Sequence, residues 1–154
     1  MIMALAQDVF AHAARAVRAL ESLQPPAQLL ARLYLAKVFL LSGLTKVRDW
    51  DTTLALFMDE YHVPLLPPEL AAWLGTGAEL VLPVLLALGL GGRLAALGLF
   101  VLNAVAVVSL MDVADAALQQ HVFWGCLLVA LVLWGPGRWS IDARLPFVRE
   151  PLRG

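Results

Sequence analysis

Charge, cysteine and histidine are all scarce in this chain. Only 15% of its 154 residues are Asp, Glu, Lys or Arg, and the 11 basic residues nearly cancel the 12 acidic ones. A net charge of -1 leaves no basic surface for the phosphate neutralisation that drives nucleic-acid affinity, so nucleic acid is excluded as a partner. The lone cysteine, Cys126, forms no internal disulfide and cannot cycle a dithiol within the chain. There is no CxxCH haem attachment, no cysteine cluster for iron–sulfur and no dinucleotide glycine fingerprint. No pair of His, Cys or Met residues stands at a metal-ligand spacing, so no metal site is assigned. The chain therefore carries no cofactor motif of its own, and no residue is assigned as catalytic.

Apolar residues are abundant instead, at 61% of the chain. A hydrocarbon core about 30 Å thick needs roughly 20 helical residues to cross it. Four runs meet that length: Ala27 to Val47, Leu70 to Leu90, Leu94 to Met111 and Ala116 to Gly135. Three of them are apolar on every face, unlike the one-sided stripe of a soluble helix. The expected fold is all-α, an integral membrane four-helix bundle whose partner is the lipid bilayer.

Basic residues divide by side. Arg15, Arg18, Arg32, Arg93, Arg138, Arg144, Arg149 and Arg153 fall at one end of the spans. Lys46 and Arg48 share the other end with Asp49, Asp51, Asp59, Glu60, Glu69, Asp112 and Asp115. Since cytoplasmic flanks retain Lys and Arg, both termini are expected in the cytoplasm.

Residues 1–24 read as an interfacial amphipathic helix. Leu5, Val9, Phe10, Ala13, Val17 and Leu20 recur at helical spacing, and Pro25 with Pro26 are expected to end that helix and turn the chain into the membrane. The spans fill residues 27–139, and 140–154 form a cytoplasmic tail. Within the first outer loop, Asp51 is expected to cap a short helix with Leu54, Phe57, Met58 and Tyr61 on one face; Pro64, Pro67 and Pro68 stop it.

Polar residues within the spans are the functional candidates, because an ionisable group at the bilayer centre costs a few kcal/mol and needs a partner, water or a task. Lys37 and Glu79 lie near the middles of adjacent antiparallel spans, and a buried ion pair between them is the simplest account. Arg32, Ala36, Phe39, Gly43 and Lys46 form one stripe on the first span, facing away from Lys37. Arg32 and Lys46 near its ends can snorkel to lipid phosphates. Pro83 removes the hydrogen bond to the Glu79 carbonyl and favours a cavity beside the acid. Asn103 reads as an interhelical hydrogen bond. At the outer face Tyr61, His62, Gln119, Gln120 and His121 can gather, a set suited to quinone hydrogen bonding or to a metal. Trp50, Trp73 and Trp124 suit an outer aromatic belt, Trp134 and Trp139 an inner one, and Cys126 a small apolar filler.

RLYLAKVFLLSGLTKV, at 32–47, resembles the first helix of the DoxX family, with Arg32, Gly43 and Lys46 at the family's Arg and Gly-x-x-Lys positions. GAELVLPVLLALGLGGRLAALGL resembles that family's second helix and turn, matching at Glu79, Pro83, Gly89 and Arg93, and GPGRWSID matches its Ser-x-Asp turn through Ser140 and Asp142. The long outer loop looks like a proteobacterial branch, and Lys37 departs from the family, which has a small or apolar residue there. The resemblance implies a bacterial inner-membrane protein similar to the membrane subunit of a thiosulfate:quinone oxidoreductase. It would dock an oxidoreductase and present quinone to it near Glu79, His121 and the outer loop, with the redox cofactor on the partner. The alternative is a small transporter or an assembly scaffold, which four helices form more easily as a homo-oligomer. A third reading has Lys37, Glu79 and Asn103 only holding the bundle together.

Overall fold

The computed structural model describes residues 2–110 and 114–145, without the side chains of 2–9 and 11. Met111, Asp112, Arg149 and Arg153, and the side chains of Leu5 and Val9, lie outside the described residues. The chain runs through helices α1 (Ile2–Ser22), α2 (Gln24–Arg48), α3 (Trp50–Asp59), α4 (Pro68–Leu88), α5 (Gly92–Ser109) and α6 (Asp115–Trp134), then a short 3-10 turn at Asp142–Arg144. Among the described residues, four helical stretches are long and apolar enough to cross a membrane, and each overlaps one of the runs read from the sequence, the first beginning earlier, at His12.

Consecutive spans are neighbours, as short connections require. Helix α2 packs mainly on α4, α4 on α5 and α5 on α6, while the α2 to α6 seam is thinner. Aromatic rings close that seam: Phe39 and Trp124 meet edge to face at 6.0 Å, and the Trp124 indole N–H donates to the Tyr34 hydroxyl. Trp124 is thus a wall residue of the bundle, not part of the outer belt, because α6 turns it inward beside His121. Leu35, Phe39, Leu86, Ala95, Ala96, Leu99, Leu128 and Leu131 form the core. Most of these lie toward the end of the bundle where α2 begins and α6 ends, called the inner end with the opposite end the outer, so the inner half is closed by apolar packing. Cys126 is exposed on the outside of α6 and fills no core space.

Pro25 and Pro26 do not turn the chain. They occupy the first turn of α2, where the missing amide donors would be unpaired in any case, and Leu23 between the two helices keeps α-region dihedrals. Helix α1 consequently leads almost directly into α2, with Phe10, Val17 and Leu20 exposed.

The outer loop folds back over the bundle. Asp49, not Asp51, caps α3: its carboxylate accepts from the Thr52 amide at 3.0 Å and the Thr52 hydroxyl at 2.7 Å. Helix α2 ends immediately before it, so the cap falls two residues earlier than the acidic pattern alone predicts. Phe57 is buried with Ala71 and Ala72, and Leu54 and Tyr61 pack beside them. Met58, expected on the same face, is exposed. Buried Thr53 ties α3 to the end of α2 by donating to the Lys46 and Asp49 carbonyls.

Candidate functional site

Near the outer end of α2, Lys46 holds Glu79 of α4, with Nζ at 2.6 Å from Oε1 and 2.5 Å from Oε2. The Lys46 and Glu79 side chains are 22% and 12% exposed, so the pair is largely withdrawn from its surroundings. Ser42, one turn below Lys46, donates to Glu79 Oε1 at 3.2 Å and accepts from Lys46 Nζ at 3.1 Å. Helical side chains slope toward the N-terminus of their own helix, which carries the Lys46 ammonium down over Ser42 to an acid near mid-span. Gly43 makes the approach possible, since a β-carbon there would stand 3.0 Å from the Glu79 β-carbon and 3.1 Å from its backbone carbon.

Lys37 takes no part in this pair. It is exposed on the opposite side of α2, as the stripe geometry requires. Equal depth in the sequence therefore did not translate into contact; facing did. Arg32 does not snorkel either. It is fully buried, and its Nη2 donates to the Trp139 carbonyl at 2.5 Å, while Nε and Nη1 find no hydrogen-bond partner. Its Nη1 lies against Gly89, whose left-handed backbone (φ 66°) and missing side chain leave room for the guanidinium. Asp142 completes this inner clamp by accepting from the Gly91 and Gly92 amides at 2.8 Å each. Arg93 is exposed beside Gly135, and Ser140 is buried, donating to the Gly137 carbonyl.

Beside the Lys46 to Glu79 pair, in the outer half of the bundle, lies a cavity of about 720 Å³. Its walls are mostly apolar, from Val38, Leu102, Val105, Ala78 and others, with Ser42, Thr45, Lys46, Tyr61, Glu79, Ser109 and His121 supplying polar atoms. Pro83 sits one turn below Glu79, fully buried, where it leaves the Glu79 carbonyl without its helical partner. Helix α3 and the Tyr61 segment roof the cavity, and Tyr61 bridges to Leu110 while its ring packs 5.0 Å from Phe57. Burial, then the charges of Glu60 and Glu79, raise the Tyr61 phenol above its ordinary value, so it remains a proton donor.

Of the outer-face candidates, the structure brings Tyr61 and His121 to this cavity. His62, Gln119 and Gln120 stay exposed, His62 having its amide bound to the Ser109 carbonyl. Asn103 pairs with His121 in both directions: its Nδ2 donates to the His121 carbonyl at 3.0 Å, and its Oδ1 lies 2.8 Å from the ring Nδ1. Sequence reasoning missed Ser42, Thr45 and Ser109. The i to i+4 spacing of Ser42 and Lys46 was the available signal for the first of them.

The DoxX family model matches residues 27–112, which include most of α2, all of α3 to α5 and every residue of the Lys46 to Glu79 cluster. No curated protein and no solved structure gives a match to the chain. With more than half of the chain matched and four helices able to span a bilayer, this is a multi-pass membrane protein, and it belongs to the DoxX family.

Proposed function

We propose that the outer cavity is a quinone site and that the bundle serves as the inner-membrane subunit of an oxidoreductase, with both termini in the cytoplasm. The observation that carries this reading is the Lys46, Ser42 and Glu79 cluster set into an apolar cavity of about 720 Å³. Ligand pockets are characteristically apolar, about 300–1,000 Å³ in volume, with a few convergent polar groups that fix orientation. A quinone ring with its apolar tail matches that division. Electron transfer would use a redox centre on the partner, which the family resemblance supports.

The transport alternative fits less well, because a pathway needs polar groups through the whole bilayer. Here they gather in the outer half, whereas Leu35, Leu86, Leu99, Leu128 and Leu131 close the inner half. The test is decylubiquinone binding to the full chain in lipid nanodiscs, followed by quenching of its tryptophan fluorescence. Saturable binding that Ala78→Trp abolishes by filling the cavity is the expected result. Unsaturable partitioning, equal in wild type and Ala78→Trp, would overturn the reading.

A further inference from the structure

Nearly every hydrogen-bonding side chain on the cavity wall is already engaged. The Thr45 hydroxyl donates to the Leu41 carbonyl, Ser109 to the Val105 carbonyl and Ser42 to Glu79. The Lys46 ammonium has three donors and three acceptor oxygens, two from Glu79 and one from Ser42. Among the described residues lining the cavity, the Tyr61 hydroxyl and the His121 Nε2 have no such partner.

The chemistry of His121 Nε2 follows from Asn103. Only the amide nitrogen of an asparagine can donate, so its bond to the His121 carbonyl fixes which end of the amide is which. The amide oxygen must then be the atom facing the ring, and a ring nitrogen 2.8 Å from an oxygen acceptor must carry the proton. Nδ1 is therefore the protonated nitrogen, and in the neutral ring Nε2 presents a lone pair. Tyr61 O–H is thus the cavity's unpartnered donor and His121 Nε2 its wholly unpartnered acceptor atom, a set best satisfied by a ligand that offers both an acceptor and a hydroxyl.

We infer that Asn103 is a positioning residue that makes His121 a hydrogen-bond acceptor for a ligand hydroxyl, so that the cavity favours a hydroquinone over the corresponding quinone. This rests on the cavity being a quinone site. An oxidised quinone offers carbonyl oxygens only, which suit Tyr61 and leave His121 Nε2 facing a second acceptor. The reduced form supplies an O–H to Nε2 and an oxygen to Tyr61. The bound couple is accordingly held toward its reduced state, and no electron transfer within this chain is involved.

The test compares decylubiquinol with decylubiquinone on the full chain in nanodiscs, under anaerobic conditions. One additional hydrogen bond corresponds to about two- to tenfold tighter binding of the reduced form. His121→Phe and Asn103→Leu should bring the two affinities to near parity, chiefly by weakening decylubiquinol binding. Independently, nitrogen NMR of the histidine-labelled protein should show the Nδ1–H tautomer at His121 in the wild type and its loss in Asn103→Leu, while the ratio of the two affinities is the readout that a purely structural Asn103 would not move. Equal affinities in the wild type, or an Nε2–H tautomer, would overturn the inference and leave the quinone reading standing. Failure of both forms to bind the wild type would remove the quinone reading and this inference with it.

Discussion

Glu79 and Lys46 show how an acid can be placed inside an apolar bundle. Removing one partner of a withdrawn ion pair strands the other charge, whereas replacing both with apolar groups is far milder. Lys46→Met alone should lower stability by about 2 kcal/mol or more, and adding Glu79→Leu should restore much of it. Lys37→Met, on the exposed face, should change stability by no more than about 0.5 kcal/mol. Thermal unfolding of the three variants in one detergent orders them; a larger loss for Lys37→Met than for Lys46→Met would contradict the pairing. At this scale the sequence was half legible. The stripe is one face in which Arg32, Ala36, Phe39 and Gly43 are buried and Lys46 is half-buried, whereas depth alone pairs Glu79 with Lys37. A lysine near a helix end reaches inward by its own length and slope, which residue counting does not convey.

Individual helices owe their placement to small features at their contacts and ends. Gly43 sets the separation of α2 and α4, because the nearest atoms to an added β-carbon include Glu79 backbone, which cannot swing away. Gly43→Ala should therefore push the helices apart, costing about 1–3 kcal/mol. Its unfolding temperature, and weaker decylubiquinone binding as Lys46 and Glu79 separate, provide the check. The α3 cap responds to pH. The Thr52 hydroxyl, and next its backbone amide, lower the Asp49 carboxyl below its ordinary value. A depressed acid contributes stability that is complete above the unfolded value, about 3.9, and is lost as pH falls through the lower folded value. Helix α3 should accordingly loosen only below about pH 4. The near-ultraviolet dichroism of Trp50 and Trp73, whose rings lie 4.2 Å apart and tilted by 41°, reports the change; in Asp49→Ala that signal should already be weakened at neutral pH. Span positions are readable from hydropathy, since three of the four runs are apolar on every face and the fourth is long and mostly apolar. The cap was not, because choosing Asp49 over Asp51 depends on where α2 stops.

Across the whole molecule the two ends of the bundle are built differently. At the inner end, the segment after α6 returns to the α4 to α5 turn: the Ile141 and Asp142 amides donate to the Leu88 and Gly89 carbonyls. Asp142 meanwhile accepts from the first amides of α5, whose own N-cap is Gly91 and supplies no side chain. An anion at a helix N-terminus is favourable both as an acceptor and through the helix dipole, so Asp142 caps α5 from across the chain. Arg32 pins the same segment through the Trp139 carbonyl, which explains why residues far apart in sequence form one inner clamp. The resemblance marked Arg32, Ser140 and Asp142 as motif positions, but their meeting required the fold, because 107 residues separate Arg32 from Trp139. The outer end, by contrast, holds a partly open cavity under a short helix and a loop. The two ends can therefore be perturbed separately. Asp142→Ala should lower stability by about 1–3 kcal/mol, the loss expected for two charge-assisted bonds at a helix terminus, yet leave decylubiquinone affinity within about twofold of wild type. Measuring unfolding temperature and ligand binding on the same preparation decides the matter. A parallel collapse of both would mean that the inner clamp and the outer cavity act as one unit, and that the apolar core between them transmits the strain.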